Sequence, residues 1–314
     1  MENLFHGARI LEISSDSSGQ RIDNFLTREL KGAPRSYIYR ILRRGEVRVN
    51  GGRVRPNRRL QPGDRVRIPP VRLADSTAPP IIPSDEQAAL LDRVLLETRD
   101  FMVINKPAGL AVHGGSGLKW GVIEAMRVAR PDVPRIDLVH RLDRETSGCL
   151  VLAKEPGTLR AIHAALRTGN ADKRYLALLR GSGDEIPGTL RTPLRRYAVS
   201  GGERKVEVSA NGRTATTHFR IVSEYAFASL VEVKIETGRT HQIRAHAASA
   251  GTPVGGDTKY GDRAFNRRLR DSGLKRLFLH AHAISIDVGP REIHAVAPLE
   301  PELGVVLERL SGDA

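Results

Sequence analysis

Five prolines, at positions 69, 70, 79, 80 and 83, fall in a stretch that shows no apolar periodicity. Each proline fixes its own φ and pushes its predecessor towards extended backbone, so such a stretch resists packing as a helix or a central strand. It reads as a semi-extended linker over 71–90, dividing the chain into a small module at 19–70 and a larger one at 91–314. With 314 residues and 40% apolar content, the larger segment has ample material for a core of its own.

The small module is strongly basic. Residues 35–67 hold eleven arginines and two acids, Glu46 and Asp64, a net of +9 (11 − 2) within a chain total of +14. Ile38, Ile41 and Leu42 recur at helical spacing, which puts Arg40, Arg43 and Arg44 on the opposite, solvent-facing side of a helix. Gly45 reads as the stop of that helix. Asn50-Gly51-Gly52 reads as a turn between Val49 and Val54, and Arg65-Val66-Arg67-Ile68 as a half-buried strand after a Pro62-Gly63-Asp64 turn. A general solubilising surface would spread its charge; concentration in one segment favours a nucleic acid partner, with Arg40, Arg43 and Arg44 as candidate contacts.

Beyond the linker, short β-rich runs at 101–105, 149–153, 175–179, 215–222, 229–235 and 277–281 alternate with a few helices, clearest at 159–166 and 241–250. The strands are too many and too closely linked for a regular βαβ repeat, which predicts an α+β fold with a large mixed sheet. No apolar run approaches the roughly 18 residues of a membrane span, and residues 1–10 lack the apolar stretch of a signal peptide, so a cytoplasmic protein is expected. The single cysteine, Cys149, forbids an internal disulfide and argues against a thiolate-rich zinc site. His241 and His246 stand five apart, not the four that align two ligands on a helix. His280 and His282 share one side of a strand but lack an acidic or cysteine companion, so no metal site is expected.

The densest polar run is His140-Arg141-Leu142-Asp143-Arg144-Glu145-Thr146-Ser147-Gly148. Taken alone, it could be a solvated loop between two core elements. It resembles, at every defined position, the signature His-Arg-Leu-Asp-x-x-Thr-Ser-Gly of the RluA-type pseudouridine synthases. The resemblance continues, in the family's order, through Asn105-Lys106-Pro107 with Gly109, Lys173-Arg174-Tyr175-Leu176-Ala177, and Gly238-Arg239-Thr240-His241-Gln242-Ile243-Arg244-Ala245-His246. It ends with Gly256-Asp257, Lys259-Tyr260-Gly261 and Leu279-His280-Ala281. Residues 19–70 look like the small RNA-binding module shared by ribosomal protein S-four and tyrosyl-tRNA synthetases. His113-Gly114-Gly115-Ser116-Gly117 looks most like the bacterial RluC subgroup, which modifies large-subunit ribosomal RNA.

The resemblance implies the pseudouridine synthase fold, a large mixed and mainly antiparallel sheet preceded by a small α/β RNA-binding module. It implies a cofactor-free isomerase acting as a monomer on large-subunit ribosomal RNA or its assembly intermediates. Asp143 would be the catalytic carboxylate, serving as nucleophile or as base on the sugar. A carboxylate held partly out of water keeps its charge beside a cation, and Arg244, in the first turn of the 241–250 helix, takes that place by motif position. Tyr175 matches the family tyrosine credited with holding the detached base and helping the C5 proton leave; as a strand tyrosine it also suits an ordinary sheet face. Arg141 resembles the residue that fills the stack when the target nucleotide is extruded; its neighbour His140 is a further candidate for substrate RNA, and Arg239 suits phosphate positioning. Lys106-Pro107 with Gly109 reads as a strand end and turn that walls the cleft, not as catalytic.

Two other readings compete. A non-catalytic RNA-binding factor would explain the charge of 19–70 but leave Asp143, Tyr175 and Arg244 without a purpose. A methyltransferase would need a Gly-rich turn after a first strand; 112–117 is Gly-rich but lacks the Rossmann spacing and a βαβ context.

Overall fold

Strand Arg65–Ile68 alternates exposed arginine with buried Val66 and Ile68, and that alternation organises the smaller of two units, 1–79 and 80–314. The computed structural model describes residues 7–30, 33, 35–70, 80–115, 118–198, 204–289 and 292–312, with the side chains of 35, 36, 198 and 204 excepted. The small unit has an antiparallel sheet in the order Arg9–Glu12, Arg65–Ile68, Arg48–Val49, Gly52–Arg53. Helices Ile22–Glu29 and Arg35–Arg44 pack Phe25, Leu26, Ile38, Ile41 and Leu42 against Val49, Val66 and Ile68.

The second helix stops where expected. Glu46 N donates to Ile41 O and Gly45 N to Leu42 O, each at 3.0 Å, a Schellman closure whose left-handed residue is Gly45 at φ 70°. Asp64, one of the two acids in this basic segment, is turned inward. It accepts from Gln61 N at 2.9 Å and Asn50 Nδ2 at 2.8 Å, bonds that hold its carboxyl below the usual range, the Gln61 amide foremost.

The linker expectation needs correction. Residues 71–79 lie outside the described residues, but 84–91 form a helix, Ser84–Leu91, and Ile82 and Leu90 are buried in the core of the larger unit. Pro83 sits at the N-cap, where a missing N–H costs nothing, and Asp85 and Glu86 occupy the first turn, where the helix dipole favours them. The last proline of the run therefore starts a helix. Among the described residues no helix is long and apolar enough to cross a membrane.

The larger unit is built on a ten-stranded sheet. Its main path runs Thr189–Arg191, Thr216–Tyr225, Ala228–Ile235, Ala171–Arg180, Leu279–Asp287, Ser147–Ala153, Phe101–Lys106, Val94–Glu97; Glu292–Val296 adds to Leu279–Asp287, and Asp137–Leu138 to Ser147–Ala153. Among the described residues the one parallel pairing joins Leu279–Asp287 to Ser147–Ala153, with His280 opposite Ser147 and Ala281 opposite Gly148. The fold is α+β with a mixed, mainly antiparallel sheet, as expected. Met102, Ile104, Leu150 and Leu152 face a core shared with Val122 and Met126 of helix Val122–Ala129. Phe101, Val103 and Val151 face another, shared with Ile162 and Ala165 of helix Pro156–Thr168. Burial on both faces explains why these strands read as unbroken apolar runs.

The same alternation aims the central strand Ala171–Arg180: Tyr175, Ala177 and Leu179 face the first core, while Leu176 and Leu178 pack on the other side. Gly148 sets the parallel contact. A Cβ there would lie 2.3 Å from Ala281 O, and its φ is 108°. Gly148→Ala is expected to part this pairing and destabilise the unit by roughly 3 kcal/mol, lowering its melting temperature by about 6–12 °C in calorimetry. An unchanged melting temperature would show that the sheet tolerates the methyl group.

Candidate active site

Asp143 stands in the loop between Asp137–Leu138 and Ser147–Ala153, where Thr146 N donates back to Asp143 O at 3.1 Å. The loop is stapled from behind by Lys106, the last residue of strand Phe101–Lys106 and fully buried. Its ammonium donates to Pro107 O (2.7 Å), Leu110 O (2.8 Å) and Arg144 O (3.0 Å). Burial pushes the Lys106 pKa down to about 7, while three carbonyls, one for each ammonium proton, favour the charged form. Arg144 Nε donates to Gly109 O at 2.7 Å, and Gly109 N to Arg144 O at 2.9 Å. The turn after strand Phe101–Lys106 and the Asp143 loop thus form one rigid wall.

Arg244 arrives from helix Gln242–Ser249. Gln242 fixes the helix start: its Oε1 accepts from Thr237 Oγ1 (2.8 Å) and Arg239 N (3.0 Å), and its Nε2 donates to Thr216 O (2.9 Å). Arg244 is 7% exposed. Its Nε and Nη2 donate to Asp257 Oδ2 and Oδ1 at 2.7 and 2.9 Å, and Nη1 reaches Asp143 Oδ2 at 3.2 Å. Asp257 Oδ1 also accepts from the amides of Lys259 (2.8 Å) and Tyr260 (3.0 Å). Burial opposes the charge of Asp257, but Arg244 and these amides outweigh it and hold the carboxyl below its usual range. Burial likewise opposes the Arg244 charge, and Asp257 with Asp143 reverses that, raising its pKa. The Tyr260 ring lies 5.1 Å from the guanidinium carbon.

Asp143, Tyr175 and Arg244 line one cleft of about 630 Å³, together with Arg141 and Arg239. That volume suits a nucleotide-sized ligand. The Tyr175 hydroxyl makes no hydrogen bond to another described residue; burial and then the Asp143 charge raise its pKa far above 10, so it stays protonated at neutral pH. Arg141 is exposed, and its guanidinium makes no hydrogen bond or ion pair among the described residues. Arg239 donates from Nε to Thr214 O at 3.1 Å, and burial followed by the nearby Arg213 charge lowers its pKa. Arg144, Arg196 and Lys259 bring the cleft to six cationic side chains against Asp143 and Glu145.

His140, expected at the RNA, is not among the residues that line this cleft. Val139 N bonds Val151 O at 3.3 Å, and His140 extends that pairing with its Nε2, which accepts from Val151 N at 3.1 Å. Burial holds the imidazole pKa down to about 4, so it is a neutral acceptor bracing the loop. Arg40, Arg43 and Arg44 belong to the smaller unit, exposed on their helix. The Arg40 guanidinium sits 4.7 Å from the Tyr37 ring centre, Arg43 Nε donates to Tyr39 O at 3.4 Å, and Arg44 lies 3.7 Å from Glu46.

Sequence reasoning missed Asp257, Gln242, Arg196 and Lys259 as site residues. Asp257 and Lys259 stood in a stretch already singled out, and Gln242 lies two positions before Arg244. Arg196 carried no local signal: it sits in the hairpin Leu194–Ala198 with Arg204–Val208, and it reaches the cleft by bonding Thr240 Oγ1. His280 Nε2 and His282 Nδ1 both bond Ala297 O, at 3.2 and 3.1 Å. Among the described residues no group of three or more His, Cys, Asp or Glu side chains is placed to hold a metal ion.

Comparisons with known proteins agree on one family. A family model described as RNA pseudouridylate synthase matches residues 100–249, and one described as S4 domain matches 20–66. The chain is 48% identical over 311 residues to ribosomal large subunit pseudouridine synthase C of Salmonella typhi, covering 98% of each. It is 48% identical over 307 residues to the protein of that name from Escherichia coli (strain K12), covering 96% of each. Among solved structures, human RNA pseudouridylate synthase domain containing 4 matches with a TM-score of 0.61 and 27% identity, over 72% of this chain and 95% of that one. Human RNA pseudouridylate synthase domain containing 1 matches with a TM-score of 0.57 and 26% identity, over 68% and 86%.

The Arg244 fork predicts the effect of removing its anchor. Asp257→Asn is expected to destabilise the unit by about 3 kcal/mol and to slow turnover about ten- to a hundredfold, with substrate affinity little changed. Single-turnover kinetics beside thermal melting would check this; a folded variant with wild-type rate would show that Arg244 needs no anchor.

Proposed function

The chain belongs to the RNA pseudouridylate synthase family, and from that premise we propose that it isomerises specific uridines of large-subunit ribosomal RNA to pseudouridine, with Asp143 as the reacting carboxylate. The observation that carries the reading is the Asp143 carboxylate held 3.2 Å from a buried Arg244, in a cleft it shares with Tyr175. The relatives named above act, by their names, on the large ribosomal subunit, and the match along nearly the whole chain supports the same RNA class here.

The chemistry asks for few parts. The N1 to C1′ bond breaks, the uracil turns over, C5 joins C1′, and the proton on C5 leaves while N1 gains one. Atoms and oxidation level are conserved, so no redox cofactor or metal is called for. An ionised carboxylate beside the sugar serves whether it attacks C1′ or takes a proton from the sugar. Arg244 offers the Asp143 carboxylate a charged donor at 3.2 Å where water is displaced. Tyr175 presents a protonated hydroxyl and a flat ring to the detached base, and suits the handling of the C5 proton.

RNA must also be held and opened. Arg141, exposed at the cleft, suits insertion into the stack vacated by the extruded uridine, at a cost of a few kcal/mol for unstacking. Arg239, with Arg196 and Lys259, suits the phosphates flanking the target. Arg40, Arg43 and Arg44 in the S4 unit suit phosphates elsewhere on the RNA. The same reading puts recognition in 19–70 and chemistry in the larger unit, in a cytoplasmic enzyme that works as a monomer. A non-catalytic RNA-binding protein would leave the buried Arg244 with its two carboxylates unexplained.

The test is conversion of unmodified large-subunit ribosomal RNA, without added metal or cofactor, by wild type and by Asp143→Asn. Wild type is expected to form pseudouridine at defined positions. The variant should bind the RNA comparably and react at least about a thousandfold more slowly. Substantial conversion by Asp143→Asn would remove Asp143 from the chemistry, and no conversion by wild type would contradict the assigned RNA class.

A further inference from the structure

Among the described residues only Asn50 and His241 hold a positive φ without being glycine. Asn50 sits in a hairpin turn that demands it. His241, at φ 51° and ψ 24°, immediately precedes helix Gln242–Ser249, a position that is ordinarily extended, and its side chain makes no capping hydrogen bond. A non-glycine residue is held in the left-handed region only when its surroundings over-determine it, and such positions cluster at functional sites. The conformation sends the imidazole into the cleft, where Nδ1 lies 2.8 Å from Tyr260 Oη and Nε2 3.8 Å from Asp143 Oδ2.

Tyr260 decides which nitrogen carries the proton. Its hydroxyl oxygen already accepts from Val206 N at 2.9 Å, and its own proton is available to Nδ1. With Nδ1 as acceptor, the imidazole proton sits on Nε2 and faces the carboxylate. The other tautomer would point the Nε2 lone pair at Asp143 Oδ2, two acceptors against each other. Tyr260 is itself placed by Asp257, which accepts its amide at 3.0 Å, so the segment that anchors Arg244 also orients His241.

Both donors converge on one oxygen. Arg244 Nη1 and His241 Nε2 face Asp143 Oδ2, and among the described residues no donor reaches Oδ1. We propose that His241 is a positioning residue whose Nε2 proton, set by Tyr260, joins Arg244 in tethering Asp143 Oδ2, leaving Oδ1 as the oxygen that acts on the sugar. The 3.8 Å separation closes by a small rotation of the carboxylate as substrate displaces water, the tightening expected of catalytic hydrogen bonds. This rests on Asp143 being the reacting carboxylate.

Two substitutions separate a donor from a backbone role. Gln at 241 can carry an amide N–H out to about the position of the imidazole Nε2; Asn reaches only the position of Nδ1 but tolerates the left-handed region better. The full-length His241→Gln and His241→Asn proteins would be compared with wild type in single-turnover conversion of unmodified large-subunit ribosomal RNA, with affinity for the same RNA and thermal melting in parallel. A donor role predicts that Asn slows conversion about ten- to a hundredfold with affinity within about twofold, and that Gln restores most of the rate. The reverse order, Asn retaining the rate and Gln losing it along with melting temperature, would assign His241 to the backbone alone and overturn the proposal. Both variants at wild-type rate, or both slowed alike, would overturn it too. Asp143→Asn in the same series separates the premises: an active Asp143→Asn fails the underlying reading, whereas an inactive one beside two unimpaired His241 variants fails only the role of His241.

Discussion

The cleft depends on one buried guanidinium shared unequally by two carboxylates. Taking an ion pair out of water carries a penalty of several kcal/mol for each ion, and only good geometry with further hydrogen bonds offsets it. Asp257 has both: it grips Arg244 along the Nε and Nη2 edge and accepts two backbone amides besides. Asp143 receives only Nη1, and at the longer distance of 3.2 Å. One carboxylate is therefore structural, its oxygens fully engaged, and the other keeps hydrogen-bonding capacity to spare, which suits the reacting role proposed for it.

That division of labour draws on distant parts of the chain. The helix bearing Arg244 follows the strand Ala228–Ile235 and is fixed at its start by Gln242; the loop bearing Asp143 is fixed by the three carbonyl bonds of Lys106. Tyr175 comes from the middle of the sheet, aimed by simple alternation along its strand. Fixed elements carry Asp143, Tyr175 and Arg244, and the long side chains of Arg141 and Lys259 lie around the same cleft.

Much of this was legible in the sequence, for reasons that differ from element to element. Strands buried on both faces announced themselves as apolar runs, as in Phe101–Lys106 and Ser147–Ala153. The hairpin Leu194–Ala198 with Arg204–Val208 did not, because its pattern is dominated by charge and its pairing is set by the partner strand. Helix Arg263–Asp271 buries only Phe265 and Leu269, an apolar stripe too narrow to stand out among four arginines. That Asp143, Tyr175 and Arg244 would share one cleft could be expected only from a resemblance of motifs, since residues 101 positions apart meet only in the folded chain. His140 and Arg141 are neighbours in sequence, yet His140 bonds Val151 N while Arg141 lines the cleft, a difference that adjacency in sequence does not reveal. Asp257 was overlooked because a carboxylate that anchors another residue carries the same local signature as one on the surface.

The central claim is that Arg244 acts on Asp143 and not on the RNA as a simple phosphate contact. The most direct measurement is the single-turnover rate of Arg244→Ala on large-subunit ribosomal RNA, set beside its equilibrium affinity for the same RNA. Loss of a preorganised charged donor predicts a fall in rate of about a hundred- to a thousandfold, with affinity changed by less than about threefold. Equal losses in rate and affinity would make Arg244 a phosphate ligand and contradict the account.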